Sequence, residues 1–187
     1  MKSDNEFLSG YFSNEWLDSH NNNLEQYLYT GYGLATKIKP NQRVLDAGCG
    51  TNPLKTLIPN LHGIDITDKG CDEVIAIEDF KTEDKYDVVL ALGSINFGSI
   101  DKIRSQIKAV DDALTDTGVI YWRLNPGNQD HGNDKVNEVD FFPWSLDCQL
   151  LLAAEFGYQV EEFRREPLNK RTRYYAKWVK RPKYSIY

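Results

Sequence analysis

Five short apolar runs punctuate the first two thirds of the chain: RVLDA (43–47), LHGIDI (61–66), EVIAI (73–77), YDVVLAL (86–92) and GVIYWRLN (118–125). Each is of strand length and too short for a typical helix. YDVVLAL is nearly continuous rather than alternating, the pattern of a strand buried on both faces, which parallel sheets require. Between the last two runs, Ile100, Ile103, Ile107, Val110 and Leu114 recur at helical spacing, with Gly118 as the expected stop. A second helix is expected from Ser145, a good N-cap, through Leu146–Phe156 to Gly157. YQVEEF (158–163) and RTRYYAKWVK (171–180) then predict two strands paired as a hairpin around EPLNK. Strands alternating with helices predict an α/β fold, a doubly wound Rossmann-like sheet of seven mostly parallel strands with a C-terminal antiparallel hairpin and helices on both faces. One link fits poorly. Only about eight residues join Asp65 to Val74, too few for a crossover helix, so that helix is expected to be vestigial or absent.

The length of 187 residues suits one domain, and neither repeats nor a low-complexity linker divide it. Residues 1–40 predict a helical, aromatic-rich cap of two short helices with Tyr11, Phe12, Trp16, Tyr27, Tyr29 and Tyr32. Residues 125–144 form a long polar stretch ending in FFPW. No apolar run approaches a membrane span, and MKSDNEFLSG lacks a basic region followed by an apolar one, so a soluble, cytoplasmic protein is expected. Cys49, Cys71 and Cys148 are odd in number and widely spaced, which argues against disulfides and structural zinc. No metal is expected. The net charge is −6, yet residues 164–187 carry nine basic side chains against Glu166 alone. That basic end is expected to be a solvated sheet end, or else a platform for an anionic substrate.

The first strand runs into VLDAGCGTNP, and a glycine turn there brings backbone close to a ligand. A dinucleotide site would need GxGxxG; Gly48 and Gly50 fit, but Pro53 stands at the third position. A phosphate loop, GxxxxGK[ST], would need glycine at Pro53 and lysine at Leu54. Neither motif is present. S-adenosylmethionine needs no phosphate cradle. It needs close backbone approach at its methionine end and carboxylates for its hydroxyls and cation. Asp65 closes the second strand and can take two charge-assisted hydrogen bonds from a ribose; Asp79 and Phe80 follow the third.

The ordered set VLDAGCG, GIDIT, IEDF and KYDVVLALGSINF resembles the class I S-adenosylmethionine-dependent methyltransferases. The resemblance runs from about Val44 to Asn125 and, more loosely, through AEFGYQVEEF and YYAKWVK to the end. It implies S-adenosyl-L-methionine as cofactor. Asp46, Ala47, Gly48 and Gly50 would meet the methionine end, and Asp65 the ribose, with Ile66 on the adenine. Asp79 and Phe80 would meet the adenine edge, and Leu92, Gly93 and Ser94 would line the floor near the sulfonium. Departures are the short link after Asp65 and a short first helix, since Pro59 follows Pro53 closely.

The cofactor would carry the chemistry and the protein would supply position. His131, in the polar stretch after the fifth strand, is the candidate general base. GSINFG replaces the Asn/Asp-Pro-Pro-Tyr motif of the family's amino-methylating DNA enzymes, which disfavours a DNA-adenine substrate, and nucleic acid is not the favoured partner. The aromatic ends of the chain suggest a pocket for a small molecule methylated on O or N. The alternatives are an RNA or protein methyltransferase using the basic end, and a non-catalytic domain that only binds the cofactor. The sequence assigns no oligomeric state.

Overall fold

The computed structural model describes residues 4–13, 33–125, 138–168 and 171–182. Seven strands form one sheet: β1 (Val44–Ala47), β2 (Leu61–Asp65), β3 (Glu73–Val74), β4 (Tyr86–Leu92), β5 (Leu114–Leu124), β6 (Tyr158–Leu168) and β7 (Arg171–Lys180). Their order is β3-β2-β1-β4-β5-β7-β6. β1 to β5 are parallel; β7 inserts antiparallel between β5 and β6. The sheet is the predicted one, with the reversal of strand order beside β1, where ligands of such sheets bind.

Three helices are described: α1 (Asn5–Tyr11), α2 (Ile100–Ala113) and α3 (Leu146–Glu155), besides a single turn at Gly33–Ala35. Each is capped by a side chain, Asp4 taking the Phe7 amide, Ser99 that of Lys102 and Ser145 that of Cys148. Ile103, Ile107, Val110 and Ala113 of α2 and Leu152 and Ala153 of α3 pack on one sheet face, against Leu45, Val89, Ala91, Ile120 and Trp122. The other face is covered by shorter pieces: Leu34, and Leu54 and Ile58 in and after the 3₁₀ turn Pro53–Thr56, against Val44, Val88, Leu90 and Tyr121.

The boundaries depart from the pattern in three places. α2 stops at Ala113 rather than running on to Gly118, because Leu114 is already extended and pairs with Tyr86. The register then jumps to Val88–Val119, a bulge that Gly118 permits: a Cβ there would lie 2.5 Å from the Leu114 Cδ2. β3 shortens to two residues, since a 3₁₀ turn at Ile77–Asp79 ends the EVIAI run. β6 extends through Leu168, which pairs with Arg171, so EPL belongs to the strand. No helix links β2 to β3, as the short connection required.

Ile107 is fully buried beneath α2. Ile107→Ala is expected to cost about 2–5 kcal/mol, read as a lower urea midpoint. An unchanged midpoint would mean that α2 does not seal this face.

Candidate functional site

The sheet's carboxyl edge opens into a cleft. Of the residues singled out in the sequence, Asp46, Gly48, Gly50, Asp65, Ile66, Leu92, Gly93 and Ser94 line it. The glycine loop is fastened on both sides. Backbone amides of Gly48 and Cys49 donate to the Ile64 carbonyl at 2.8 and 3.0 Å. The Gly50 amide donates to Asp65 Oδ2 at 2.9 Å, while Asp65 Oδ1 accepts from the Thr67 amide and hydroxyl, each at 2.8 Å. Gly48 has φ +81°, and a Cβ there would lie 2.2 Å from Ser94 Cβ, so no other residue fits. Ser94 in turn donates its hydroxyl to the Ala47 carbonyl. Ala47 is itself buried in the core and offers the cleft no side chain.

Asp46 is 4% exposed. Burial, together with the charge of Asp65, pushes its carboxyl up to about 7. The same two carboxylates, after burial itself, raise the Cys49 thiol, an inert neighbour rather than a nucleophile. The three cysteines are free thiols.

The third strand's acids are arranged differently from expectation. Asp79 is exposed, and Phe80 packs into the core and against the His62 ring, with centroids 6.3 Å apart; neither lines the cleft. Ile77 and Glu78 take that wall. The shortening of β3 is the cause, since the 3₁₀ turn changes which residue faces inward. Glu78 accepts from Asn5 Nδ2 at 3.1 Å and from Gln106 Nε2 at 2.9 Å, with Lys102 Nζ at 3.6 Å. Burial alone would raise its carboxyl, but these partners bring it below the usual range.

α1 lies over this edge: Ser9 donates to the Ile66 carbonyl at 3.2 Å, and Asn5, Leu8 and Phe12 face the cleft. Phe12 and Phe97 meet edge-on with centroids 5.3 Å apart. The other described aromatics mostly build structure. Phe142 and Trp144 join the core under Trp122, and the Trp144 indole donates to the Ile95 carbonyl at 2.9 Å. Trp16, Tyr27, Tyr29, Tyr32 and His131 lie outside the described residues.

At the far end of the cleft stand Arg123 on β5 and Arg173 on β7, with Asn125. Sequence reasoning did not select them, though period-two alternation carried a signal: Arg123 follows Tyr121, and Arg173 precedes Tyr175, on a buried face.

No protein-family model matches the chain, and no curated protein matches its sequence. Solved structures match its fold. A magnesium protoporphyrin IX methyltransferase from Synechocystis, with bound S-adenosylmethionine, aligns at TM-score 0.70 and 13% identity over 97% of this chain and 99% of that one. The 1,6-didemethyltoxoflavin-N1-methyltransferase of Burkholderia thailandensis, with 1,6-didemethyltoxoflavin and S-adenosylhomocysteine, aligns at 0.69 and 11% over 96% and 91%. The N-methyltransferase NodS of Bradyrhizobium japonicum, with S-adenosylhomocysteine, aligns at 0.67 and 14% over 95% and 99%. The fold is theirs. At such identities the likeness concerns architecture, and the residues must carry any statement about chemistry.

A raised Asp46 favours the protonated folded state, so its contribution to stability is full below pH 4 and is lost as pH rises through about 7. The ligand-free protein is therefore expected to lose stability over that interval, by at most about 4 kcal/mol from this group. Asp46→Asn should remove much of the loss. Parallel urea titrations at pH 5 and pH 8 give the answer; equal pH dependence in both proteins would contradict the assignment.

Proposed function

We propose that the protein is an S-adenosyl-L-methionine-dependent methyltransferase acting on an O or N nucleophile of a small molecule. One observation carries the reading: Asp46 and Asp65 both face the cleft at the glycine loop. Two carboxylates disfavour a pyrophosphate or triphosphate and suit a cationic nucleoside bearing a diol. The solved structures of the same fold, several with S-adenosylmethionine or S-adenosylhomocysteine bound, support it.

The residues present fit that group. Gly48 and Gly50 give the close backbone approach that its amino-acid end needs, and Asp46, once ionised, would hold an ammonium. Asp65 retains acceptor capacity beyond Gly50 and Thr67, because an ionised carboxylate has about four lone-pair sites. Ile66 and Ile77 offer an apolar slot for adenine, with Glu78 at its rim in the place expected for Asp79. Leu92, Gly93 and Ser94 form the floor between this end and the arginine end. When bound, the cofactor supplies an electrophilic methyl group, so the protein's task is to hold the nucleophile roughly 3–3.5 Å away in line and keep water out. α1 and the 125–144 segment are proposed to cover the site, and His131 to take the acceptor's proton. His131→Ala should lower kcat while leaving cofactor affinity intact.

The basic C-terminal end favours a small acceptor over a polyanion. Arg164 pairs with Glu162 and stacks on Tyr175, Lys177 pairs with Glu161, and Lys180 pairs with Asp111. These charges serve the sheet. No helix among the described residues is long and apolar enough to cross a membrane. The free thiols suit a reducing compartment, which we take to be the cytoplasm.

Calorimetry with S-adenosylmethionine tests the site. Wild type should bind saturably, and Asp65→Ala should weaken binding by tenfold or more, about 1.4 kcal/mol. Affinity should also rise between pH 5.5 and 8 as Asp46 ionises, a trend that Asp46→Asn abolishes. Unchanged binding in Asp65→Ala would sink the assignment.

A further inference from the structure

The floor of the cleft continues from β4 onto β5. Leu92, the last residue of β4, lies beside Arg123, and each strand then runs on into the cleft wall, Gly93 and Ser94 after one and Asn125 after the other. Ser94, Asn96 and Asn125 form one frame. The Asn96 backbone amide donates to the Ser94 carbonyl at 3.0 Å, and the Asn96 carbonyl accepts from the Phe142 amide at 2.8 Å. Asn96 Oδ1 accepts from the Asn125 backbone amide at 3.3 Å. Asn96 itself is fully buried. A chain tied in this way holds the Asn125 side chain at a fixed place relative to Ser94.

Asn125 is 3% exposed, and its Oδ1 has no hydrogen-bond partner among the described residues. Buried carboxamide oxygens are rarely left so, because an unmade hydrogen bond in a shielded place is costly. On the wall of a ligand cleft, such an oxygen is satisfied when the ligand brings a donor. Gln106 Oε1 is also unpaired and lines the cleft, but Gln106 is bonded to Glu78, at the rim proposed for the adenine. Asn125 stands at the β5 end, which that placement of the cofactor leaves to the methyl acceptor.

We propose that Asn125 Oδ1 orients the methyl acceptor by taking a hydrogen bond from its nucleophilic atom, so that the acceptor is a primary or secondary amine or a hydroxyl, a nucleophile that still carries hydrogen. The inference rests on the methyltransferase reading of the same cleft and deepens it. With its hydrogen held at Asn125, the nucleophile turns a lone pair toward the floor at Gly93 and Ser94, the alignment that in-line attack needs. That lone pair forms the new bond to the methyl carbon, the electrons of the broken carbon–sulfur bond stay on sulfur, and the proton goes to His131, the base proposed above. A carboxamide oxygen accepts a hydrogen bond without taking the proton, so Asn125 fixes direction and leaves proton transfer to another group. A tertiary amine offers no hydrogen and leaves the buried oxygen unpaired, which is how a site built to bond a substrate N–H or O–H rejects the analogue lacking it. Phe12 and Phe97 give the remainder of the molecule an apolar wall.

The test uses protein saturated with S-adenosylhomocysteine, titrated calorimetrically at neutral pH with aniline, N-methylaniline and N,N-dimethylaniline, all uncharged there. Aniline and N-methylaniline should bind alike, and N,N-dimethylaniline about tenfold more weakly, so that affinity follows the presence of an N–H rather than size. Asn125→Leu, which removes the oxygen at similar volume, should bring the three together. Asn125→Asp, which keeps an acceptor oxygen at the same reach, should retain the preference. S-adenosylhomocysteine affinity, measured in every variant, reports that the fold is intact; if Asn125→Leu loses it, Asn125→Ala takes its place. Equal affinity for the three anilines in wild type, or a preference that survives in Asn125→Leu, overturns the role of Asn125. Wild-type protein that binds S-adenosylhomocysteine but none of the anilines also overturns it alone. Failure of wild type to bind S-adenosylhomocysteine overturns the cofactor reading beneath it.

Discussion

The Asp65 carboxylate ties the site together. One oxygen takes the Gly50 amide, and the other takes the Thr67 amide and hydroxyl. That single group joins the loop leaving β1 to the turn leaving β2, so the two strand ends open on the cleft as a unit. Gly48 completes the constraint from the other side, because only a glycine can pass Ser94 at that distance. With the loop fixed between β2 and β4, the positions of Asp46 and Gly93 follow from strand alternation. Asn5 and Leu8 of α1, and Arg123 and Arg173, line the same cleft.

The electrostatics follow from the same geometry. Buried carboxylates that face each other raise the cost of ionisation, as Asp46 shows, and a cation entering between them would lower it. At the opposite end the sign reverses: burial, and then repulsion from Arg123, lower the Arg173 guanidinium.

Much of this was legible in the sequence. VLDAGCG, GIDIT and YDVVLALG are strand-to-loop segments whose hydrophobic runs fix the register and whose polar residues and glycines must therefore fall at strand ends, so Asp46, Asp65 and Gly93 are expected at the carboxyl edge of the sheet, and all three line the cleft there. The third strand was not legible. EVIAIEDF contains enough apolar residues for a longer strand, but its partner β2 offers pairing for only two residues before the 3₁₀ turn, and Glu78 replaces Asp79 on the inner side. Arg123 and Arg173 were hidden by context: one sits in an apolar run, the other in a basic tail where Arg164, Lys177 and Lys180 pair with acids. Their shared face emerges only when β7 is known to insert beside β5.

Native mass spectrometry of the purified protein incubated with S-adenosylhomocysteine tests the central claim most directly. The two-carboxylate cleft predicts a stoichiometric one-to-one adduct in wild type that is lost or strongly reduced in Asp65→Ala. A protein that stays ligand-free at saturating S-adenosylhomocysteine would contradict the claim that this cleft takes the adenosyl and amino-acid ends of the cofactor.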